Sequence, residues 1–510
     1  MSSGCPRISG LGCKARVSRI TSLVQGTAKS APPLTSPLGF TEAKLRIKEE
    51  FRKSGYFWLP SFPEKQIPGT LVITDGGDIE LEVVGLFHES PEGLTRALNG
   101  KEQFERIVGH IEKHGLVTLE NCFYKNSNIA FGGISKSTIY VNKALIGVAY
   151  DVGESILLNA FKFSVEGIDE WVGLSGIKID HKFEHRTASI TYTPPEEITF
   201  NLNNGMKLLI TFSWTLPGFS STKEAKITQK AFFKLLSEKE RPLNEFISSA
   251  YKITTLLGFA IDQTVCIDQV TVTSDEIRQD IGKGKTSPVQ ISLFYPSLPY
   301  TKIEPKVDWH RMLFRYGQIQ DDAERIINNW FDAYDVIDPA LNLYFSTKTG
   351  AHRYLDGKFL ALSQGLETYH RRTSSEKLMD DAAFSELTEN LISQCPPEHQ
   401  EWLSGRMRHG NELNLGKRIK RIVTPFKELI GNSKERNKLI RTIVDTRNYL
   451  THYDESLQHK AASGHDLWVI CLRMEAIFQL HLLQVMGFGD TEIHAVFKNS
   501  NELRQKLKQT

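Results

Sequence analysis

The chain of 510 residues contains few cysteines and no long apolar run. Because no stretch of roughly 18 consecutive apolar residues occurs, the sequence predicts no transmembrane helix and no membrane association. The cysteines are scattered without CxxC spacing, which argues against a disulfide framework and against a zinc ribbon. A reducing compartment, the cytoplasm, fits this usage. The six cysteines are Cys5, Cys13, Cys122, Cys266, Cys395 and Cys471.

Several catalytic signatures are missing as well. The sequence has no P-loop, no GxGxxG after a predicted strand and no GxSxG. These absences argue against nucleotide hydrolysis, dinucleotide-dependent oxidoreduction and α/β-hydrolase chemistry. Two histidine pairs, His110 with His114 and His181 with His185, have the four-residue spacing of metal ligands, but no HExxH and no third ligand accompany them. We therefore predict no metal and no cofactor.

The character of the sequence changes twice along the chain. Hydrophobic residues make up 40% and charged residues 24% of the sequence, as in ordinary folded proteins. Residues 1–38 are rich in Ser, Gly and Pro and lack the apolar core of a signal peptide, which predicts a disordered tail. Strand signals dominate residues 39–300, and helical patterns dominate residues 301–510. The fold class predicted is therefore α+β, with several domains.

Residues 39–300 predict a β-rich domain of the sandwich or barrel type. Short strands alternate with turn residues, as at 75–78 between the predicted strands 70–74 and 79–87. Residues 301–510 predict an all-α bundle, because apolar residues recur at helical spacing in several long segments. These segments are 352–371, 415–430 with a break at Pro425, 432–450 and 465–486. The last is apolar around most of its circumference, which is typical of a bundle that also dimerises.

The most informative segment is residues 447–454, Arg-Asn-Tyr-Leu-Thr-His-Tyr-Asp, at the end of the helix predicted for residues 432–450. Histidine exchanges protons near neutral pH, and arginine binds phosphate through a planar, permanently charged fork. Arg447 falls on the apolar stripe of this helix, where a charge is costly unless it is paired or functional. Asn448 lies one turn before His452. Arg447 and His452 are the groups that metal-independent RNA cleavage requires.

The sequence before this segment is basic. From Arg406 to Arg447 there are twelve basic and four acidic residues, a local excess of eight positive charges. Such a field suits a polyanionic substrate, although a solvated helix face would explain the same composition. The candidate RNA-binding residues are Lys417, Arg418, Lys420, Arg421, Lys438 and Arg441.

Residues 446–454 resemble the Arg-x4-6-His motif of HEPN ribonucleases, in the form with asparagine directly after arginine. More narrowly, they resemble the C-terminal domain of the ApeA family, bacterial abortive-infection proteins that act against phage. The resemblance implies an endoribonuclease, with tRNA as one candidate target, that acts in the bacterial cytoplasm as a homodimer formed by the HEPN domain. It implies catalytic roles for Arg447, Asn448 and His452, with Tyr453 and Asp454 in support. The β-rich domain would then respond to a phage-derived trigger.

Two other interpretations remain open at this point. Arg447 could pair with an acidic residue on a neighbouring helix, and His452 could simply end its own helix. The protein would then be a non-catalytic RNA-binding or scaffolding protein. Alternatively, residues 39–300 could form a ligand-binding β domain joined to a helical dimerisation module. The aromatic residues Trp58 and Trp171 are candidates for such a binding platform, although core packing is the favoured explanation for them.

Overall fold

The computed structural model describes residues 45–87, 102–128, 133–218, 223–282 and 284–508. The predicted tail at residues 1–38 lies outside them. Strands are the main elements of the described residues up to residue 294. They are β1 (Phe51–Trp58), β2 (Ile67–Thr74), β3 (Asp78–Val84), β4 (Gln103–Ile111), β5 (Gly115–Asn128), β6 (Lys136–Ile146), β7 (Leu157–Val165), β8 (Ile177–Lys182), β9 (Thr187–Tyr192), β10 (Ile198–Asn201), β11 (Lys207–Thr215), β12 (Thr228–Pro242), β13 (Ile267–Thr273), β14 (Arg278–Asp280), β15 (Thr286–Pro288) and β16 (Ile291–Phe294).

The first six strands close into an antiparallel barrel in the order β6-β3-β2-β1-β4-β5, with β5 pairing back to β6. The predicted hairpin is confirmed as β2 and β3, in which Ile73 pairs with Ile79. Alternate residues of each strand point inward and build a core of their own. Gly109 allows close approach at one point, because a Cβ atom there would overlap the ring of Phe57.

A sheet extension continues from β6 through β16, β13, β7, β12 and β11 to β10. It packs on helix α2 (Leu243–Ile261), which follows the short helix α1 (Ile168–Val172) in the chain. Phe161 of β7 stacks on Phe246 of α2, with ring centroids 6.1 Å apart. The strand-rich region is therefore a closed barrel plus an open sheet with a helix on one face.

Helices follow from residue 316 onwards. They are α3 (Tyr316–Ile319), α4 (Ala323–Ser346), α5 (Leu355–Thr373), α6 (Asp381–Gln394), α7 (Pro397–Met407), α8 (Leu415–Val423), α9 (Lys427–Ile430), α10 (Ser433–His452), α11 (Glu455–Gln458), α12 (Gly464–Val485), α13 (Asp490–Asn499) and α14 (Asn501–Lys508). The expected break at Pro425 is present as a 3-10 turn, Thr424–Phe426, between α8 and α9. A β-rich part followed by a helical part is confirmed.

Helix α4 is the long element that the sequence pattern did not predict. Pro339 lies inside it, and Ile337 has non-helical backbone angles of φ −118° and ψ 17°. Proline removes a helical hydrogen bond and kinks the chain, so the segment looks interrupted when it is read locally. Packing overrides this weakness, because Trp330, Leu341 and Tyr344 of α4 are fully buried.

One hydrophobic core joins the sheet extension to the helical bundle. Residues of β7, α2, α4, α5 and α12 belong to the same buried cluster, whereas the barrel interior is separate. Helix α12 is the one helix among the described residues that is long and apolar enough to cross a membrane, and 67% of that stretch is buried inside the protein. Its wide apolar face is used mainly for packing within the chain, with Met474 and Phe478 at the centre.

Candidate active site

Helix α10 carries the arginine, the asparagine and the histidine of the predicted site. It begins with a reciprocal cap: the Asn432 side chain accepts from the Glu435 N–H at 3.1 Å, and the Glu435 carboxylate accepts from the Asn432 N–H at 2.8 Å. Further along, Leu439, Ile443 and Thr446 form its buried stripe. This stripe fixes the rotation of the helix about its axis and therefore the direction in which the site residues project.

The helix ends at His452, and the chain leaves it through Tyr453. Tyr453 adopts a left-handed backbone conformation, φ 52° and ψ 36°, and its N–H donates to the Tyr449 carbonyl at 2.6 Å. Asp454 then caps α11, because its carboxylate accepts from the Ser456 N–H at 2.9 Å. The exposed end of α10 is thus held by backbone contacts and leaves the His452 side chain in solvent.

Arg447 lies on the half-buried flank of α10, not on its buried stripe as the apolar pattern suggested. Val444 and Leu450, each one turn away, are also only half-buried. The Arg447 Nη1 donates to Asn448 Oδ1 at 3.4 Å. In the part of the chain that the structure describes, no carboxylate pairs with this guanidinium. The acidic partner that the structural alternative requires is therefore not found among the described residues, and the charge remains accessible from solvent.

The three site residues do not converge within one chain. Asn448 contacts Arg447, and no hydrogen bond joins it to His452 among the described residues. An interval of five residues turns His452 about 140° from Arg447 on an ideal helix. The pKa of Asp454 is lowered by its hydrogen bonds with Ser456 and, to a smaller extent, by the nearby charge of His452. The Asp454 carboxylate beside His452 is therefore ionised at neutral pH.

The predicted RNA-binding residues fall into two groups, and those of the first group form no ion pair within the described part of the chain. Lys417, Lys420, Lys438 and Arg441 are exposed, and among the described residues no acidic side chain pairs with them. Gly416 lies against Val444: a Cβ atom added to this glycine would be 3.6 Å from the valine Cγ2. The first turn of α8, which carries Lys417, therefore lies beside α10 one turn before Arg447.

The second group is engaged inside the protein. Arg418 is buried; its Nε donates to the Leu413 carbonyl at 2.8 Å, and its Nη1 lies 3.2 Å from Nδ1 of His370. Arg421 forms a two-pronged ion pair with Glu376, with Nε 2.9 Å and 3.0 Å from the two carboxylate oxygens. Burial, followed by the charge of Arg418, lowers the pKa of His370. Both arginines hold neighbouring segments together, which their local sequence does not reveal.

A second cluster of charged side chains, which the sequence did not indicate, lies buried between α2, α5, α12 and α14. Asp262 accepts from Nζ of Lys348 and Nζ of Lys506, each at 2.6 Å. Glu475 pairs with the same two lysines and with Lys358 at 3.2 Å. Burial alone would raise the pKa of Glu475, but the lysine charges outweigh it and hold that pKa well below its ordinary value. We call these five residues the buried ion network.

Of the two tryptophans considered as a binding platform, Trp171 is buried against Phe233 and Tyr316 and belongs to the core, whereas Trp58 is only partly buried. Glu80 and Glu82, on one face of β3, pair with Lys125 and Arg52 across the sheet.

All four histidines of the two pairs are exposed. His114 packs on Phe51, and His181 stacks on Phe183. Over residues 45–508, where they are described, no group of three His, Cys, Asp or Glu side chains is arranged to hold a metal ion.

The comparisons with known proteins match both halves of this architecture. A family model described as ApeA N-terminal domain 1 matches residues 52–330, and one described as Apea-like HEPN matches residues 360–492. No curated protein and no solved structure was found to match the chain. The HEPN match contains helix α10 and the whole Arg447–His452 segment. Because the first model alone covers more than half of the 510 residues, the chain belongs to the ApeA family, whose pairing of domains supports an anti-phage role.

Proposed function

We propose that this protein is an endoribonuclease that cleaves RNA without a metal ion, using Arg447, Asn448 and His452. The observation that carries the proposal is that Arg447, within the HEPN-matched segment, has no carboxylate partner among the described residues. Its guanidinium is held on a fixed helix, has no carboxylate partner among the described residues, and is followed five positions later by an exposed histidine. A purely structural arginine in this position would be expected to form an ion pair.

The chemistry requires a proton acceptor, a proton donor and positive charge. A base removes the proton from a ribose 2′-OH, and that oxygen attacks the adjacent phosphorus. The bond to the 5′ oxygen breaks, an acid protonates the leaving oxygen, and the products carry a 2′,3′-cyclic phosphate and a 5′-OH. His452 would move these protons, and Arg447 would stabilise the charge that develops on the phosphate oxygens. Asn448 would orient the Arg447 guanidinium through its amide oxygen.

A second copy of the chain would complete this site. One copy provides one histidine, and its arginine projects about 140° away on the helix. Two copies related by a twofold axis would bring both arginines and both histidines together, with one His452 as base and the other as acid. Ile440, Val444 and Leu450 on the flank of α10 are half-buried by packing within the chain, and such a dimer would cover the parts of them that remain exposed.

The unpaired basic residues would hold the RNA backbone. Lys417, Lys420, Lys438 and Arg441 are exposed, and the α8–α10 contact at Gly416 brings Lys417 near the Arg447 turn. Their charges would attract the phosphates and align the strand before cleavage. Arg418 is left out of this set because its guanidinium is buried and bonded within the chain.

The N-terminal domain would restrain the nuclease until a phage-derived trigger binds it, in the cytoplasm of the infected bacterium. A ribonuclease that attacks host RNA, tRNA being one candidate, must be held inactive in healthy cells. The single hydrophobic core shared by the sheet extension and the helical bundle supports this coupling. A rearrangement of one part would be transmitted mechanically to the other, because packed cores are not continuously deformable.

The test is induced expression with and without phage challenge, followed by mapping of RNA ends. The wild type is compared with His452→Ala, Arg447→Ala and the control His494→Ala, which changes an exposed histidine outside the HEPN match. We expect protection and 2′,3′-cyclic phosphate ends in the wild type and in the control only. Equal behaviour of all four proteins would overturn the proposal.

A second candidate function rests on a groove of about 720 Å³ on the outside of the barrel. Its size lies in the range of small-ligand sites, and its lining comes from strands β1, β2, β3, β4 and β6 and the residues next to them. This groove favours ligand binding by the β-rich region, with the helical part as a dimerisation module. Binding of a saccharide or peptide panel by the full chain, with no RNA cleavage under any condition, would support it. The groove is lined by Ser54, Gly55, Tyr56, Pro68, Gly69, Thr70, Glu82, Val83, Val84, His110, Glu112, Lys136, Ser137 and Thr138.

A further inference from the structure

The end of α10 and the start of α12 each expose an aromatic ring that packing does not explain. The Tyr453 side chain, directly after His452, is 67% exposed, and that of Trp468 near the start of α12 is 42% exposed. Large aromatic groups normally contribute to stability by burial. Rings that remain in water beside a candidate active site therefore invite a functional explanation.

Tyr453 also occupies a backbone position that disfavours it. Its φ of 52° lies in the left-handed region, where a residue that ends a helix is usually glycine or asparagine. The cap is made by the backbone N–H of Tyr453, which any residue other than proline would provide. Neither the cap nor the core needs the ring, so the fold tolerates a local conformational cost to present it.

Each exposed ring is supported by a second ring. Tyr449 and Tyr453 meet edge to face with centroids 5.7 Å apart, and His465 and Trp468 lie 5.4 Å apart at an interplanar angle of 34°. The partner rings limit the motion of Tyr453 and Trp468 without covering them. We call these four residues the aromatic surface.

The two ring pairs are brought towards the same segment of α10. The backbone N–H before α12, at Ala462, donates to the Thr446 hydroxyl at 2.9 Å. Thr446 is fully buried and directly precedes Arg447. Helix α12 therefore starts beside the Arg447 turn and presents Trp468 in its first turns, whereas Tyr453 follows the other end of the catalytic segment.

We propose that Tyr453 and Trp468 of the aromatic surface are RNA-binding residues, whose rings stack on unpaired bases beside the Arg447–His452 segment. This inference rests on the proposed ribonuclease function. In an A-form duplex the bases stack on one another and present no free faces to a protein ring. An unpaired base can lie on an exposed tyrosine or tryptophan, and such stacking tolerates any sequence. Tyr453 and Trp468 would thus select RNA structure, while the basic residues hold its backbone.

The test measures RNA binding and stability on the same variants. In a His452→Ala background, which removes cleavage, fluorescence anisotropy gives the affinity for a short single-stranded RNA and for the same RNA annealed into a duplex. We expect the single strand to bind more tightly. Tyr453→Asn and Trp468→Leu should each weaken single-strand binding by about 5- to 150-fold, the range for loss of one stacked base.

Three controls distinguish stacking from other effects. Tyr453→Phe keeps the ring and should bind like the parent, and Tyr354→Asn makes the same change at an exposed tyrosine before α5. Tyr453→Asn and Tyr453→Gly should melt no lower than the parent, because both residues suit the left-handed conformation. Sedimentation velocity on each variant shows whether the rings serve a dimer contact instead.

The outcomes separate the two proposals. Equal affinity of Tyr453→Asn and the parent, or equal affinity for strand and duplex, would overturn the stacking inference, even while the wild type still cleaves RNA through His452. A loss of dimer in Tyr453→Asn that accounts for its weaker binding would overturn it as well. Absence of RNA binding and cleavage in every protein would overturn both the stacking inference and the proposed function.

Discussion

The chain holds two clusters of charged residues in opposite environments. Arg447 and His452 lie at the exposed end of one helix with few contacts, whereas the buried ion network joins α2, α5, α12 and α14 through several short ion pairs. The first cluster shows a recognisable local pattern in the sequence. The second comes from positions between 262 and 506 and has no local pattern at all.

The difference shows which charged residues are available for a ligand and which stabilise the fold. A buried ion pair gains little net stability over an apolar replacement, but the loss of one partner leaves an uncompensated charge and is strongly destabilising. An exposed unpaired charge contributes little to folding and is free to interact with a ligand. Substitutions at the two clusters should therefore give opposite results in stability and in activity.

The largest expected effect is the loss of RNA cleavage in the His452→Ala variant. Loss of a general acid–base group should reduce the cleavage rate by about 10²- to 10⁴-fold. The melting temperature should not change, because the side chain is exposed and has no packing role. Single-turnover cleavage and calorimetry on the same preparations check this. A variant that melts well below the wild type would instead show that His452 stabilises the fold.

The next effect is on stability, from Glu475→Gln in the buried ion network. The change leaves Lys348 and Lys506 with one carboxylate fewer, which should cost about 3–5 kcal/mol of unfolding free energy. Urea unfolding measures it. The control, Asp381→Asn, breaks an exposed ion pair with Lys377 and should leave the midpoint unchanged. A Glu475→Gln protein as stable as the wild type would show that the network is dispensable.

A buried histidine sharpens the contrast with the exposed His452. Burial lowers the pKa of His481 to about 4, while its Nε2 donates to the Ile422 carbonyl at 2.9 Å. Since this folded-state pKa lies below the ordinary 6.5, the unfolded chain takes up the proton first, and stability falls as the pH drops from 6.5 towards 4. The full loss amounts to about 3 kcal/mol.

The variant His481→Gln isolates this contribution. Glutamine retains a donor for the Ile422 carbonyl but does not titrate, so its unfolding free energy should depend less on pH between 6.5 and 5. The network carboxylates do not interfere, because the pKa values of Asp262 and Glu475 lie below their ordinary 3.8 and 4.5. Parallel pH profiles for variant and wild type would refute the assignment.

The smallest effect concerns the exposed basic residues. Lys438→Gln combined with Arg441→Gln should weaken RNA binding a few-fold and lower the slope of log affinity against log salt by about one per lost phosphate contact. The unfolding free energy should stay the same. For comparison, Arg418→Gln removes a buried guanidinium and should lower stability without changing the salt slope at matched folded fraction. Equal salt slopes for both proteins would argue against a phosphate contact at 438 or 441.

Local sequence was sufficient where local forces determine structure. The helix predicted for residues 432–450, the break at Pro425 and the β2–β3 hairpin are all short-range features, and each is confirmed. Helix α4 was not predicted, because Pro339 weakens it locally and only the aromatic core restores it. The sequence also did not show which basic residues have partners inside the protein. Glu376 is 45 residues from its partner Arg421, and His370 is 48 residues from Arg418.

The sequence by itself determined the change from strands to helices and the position of the Arg447–His452 segment, because periodicity and short motifs are local properties of the chain. Only the tertiary structure decided that the strands close into a barrel, that Arg447 has no carboxylate partner among the described residues, and that Arg418 is buried. These outcomes depend on contacts between distant segments. Register, burial and ion pairing are fixed when those segments pack, and no window of neighbouring residues contains that information.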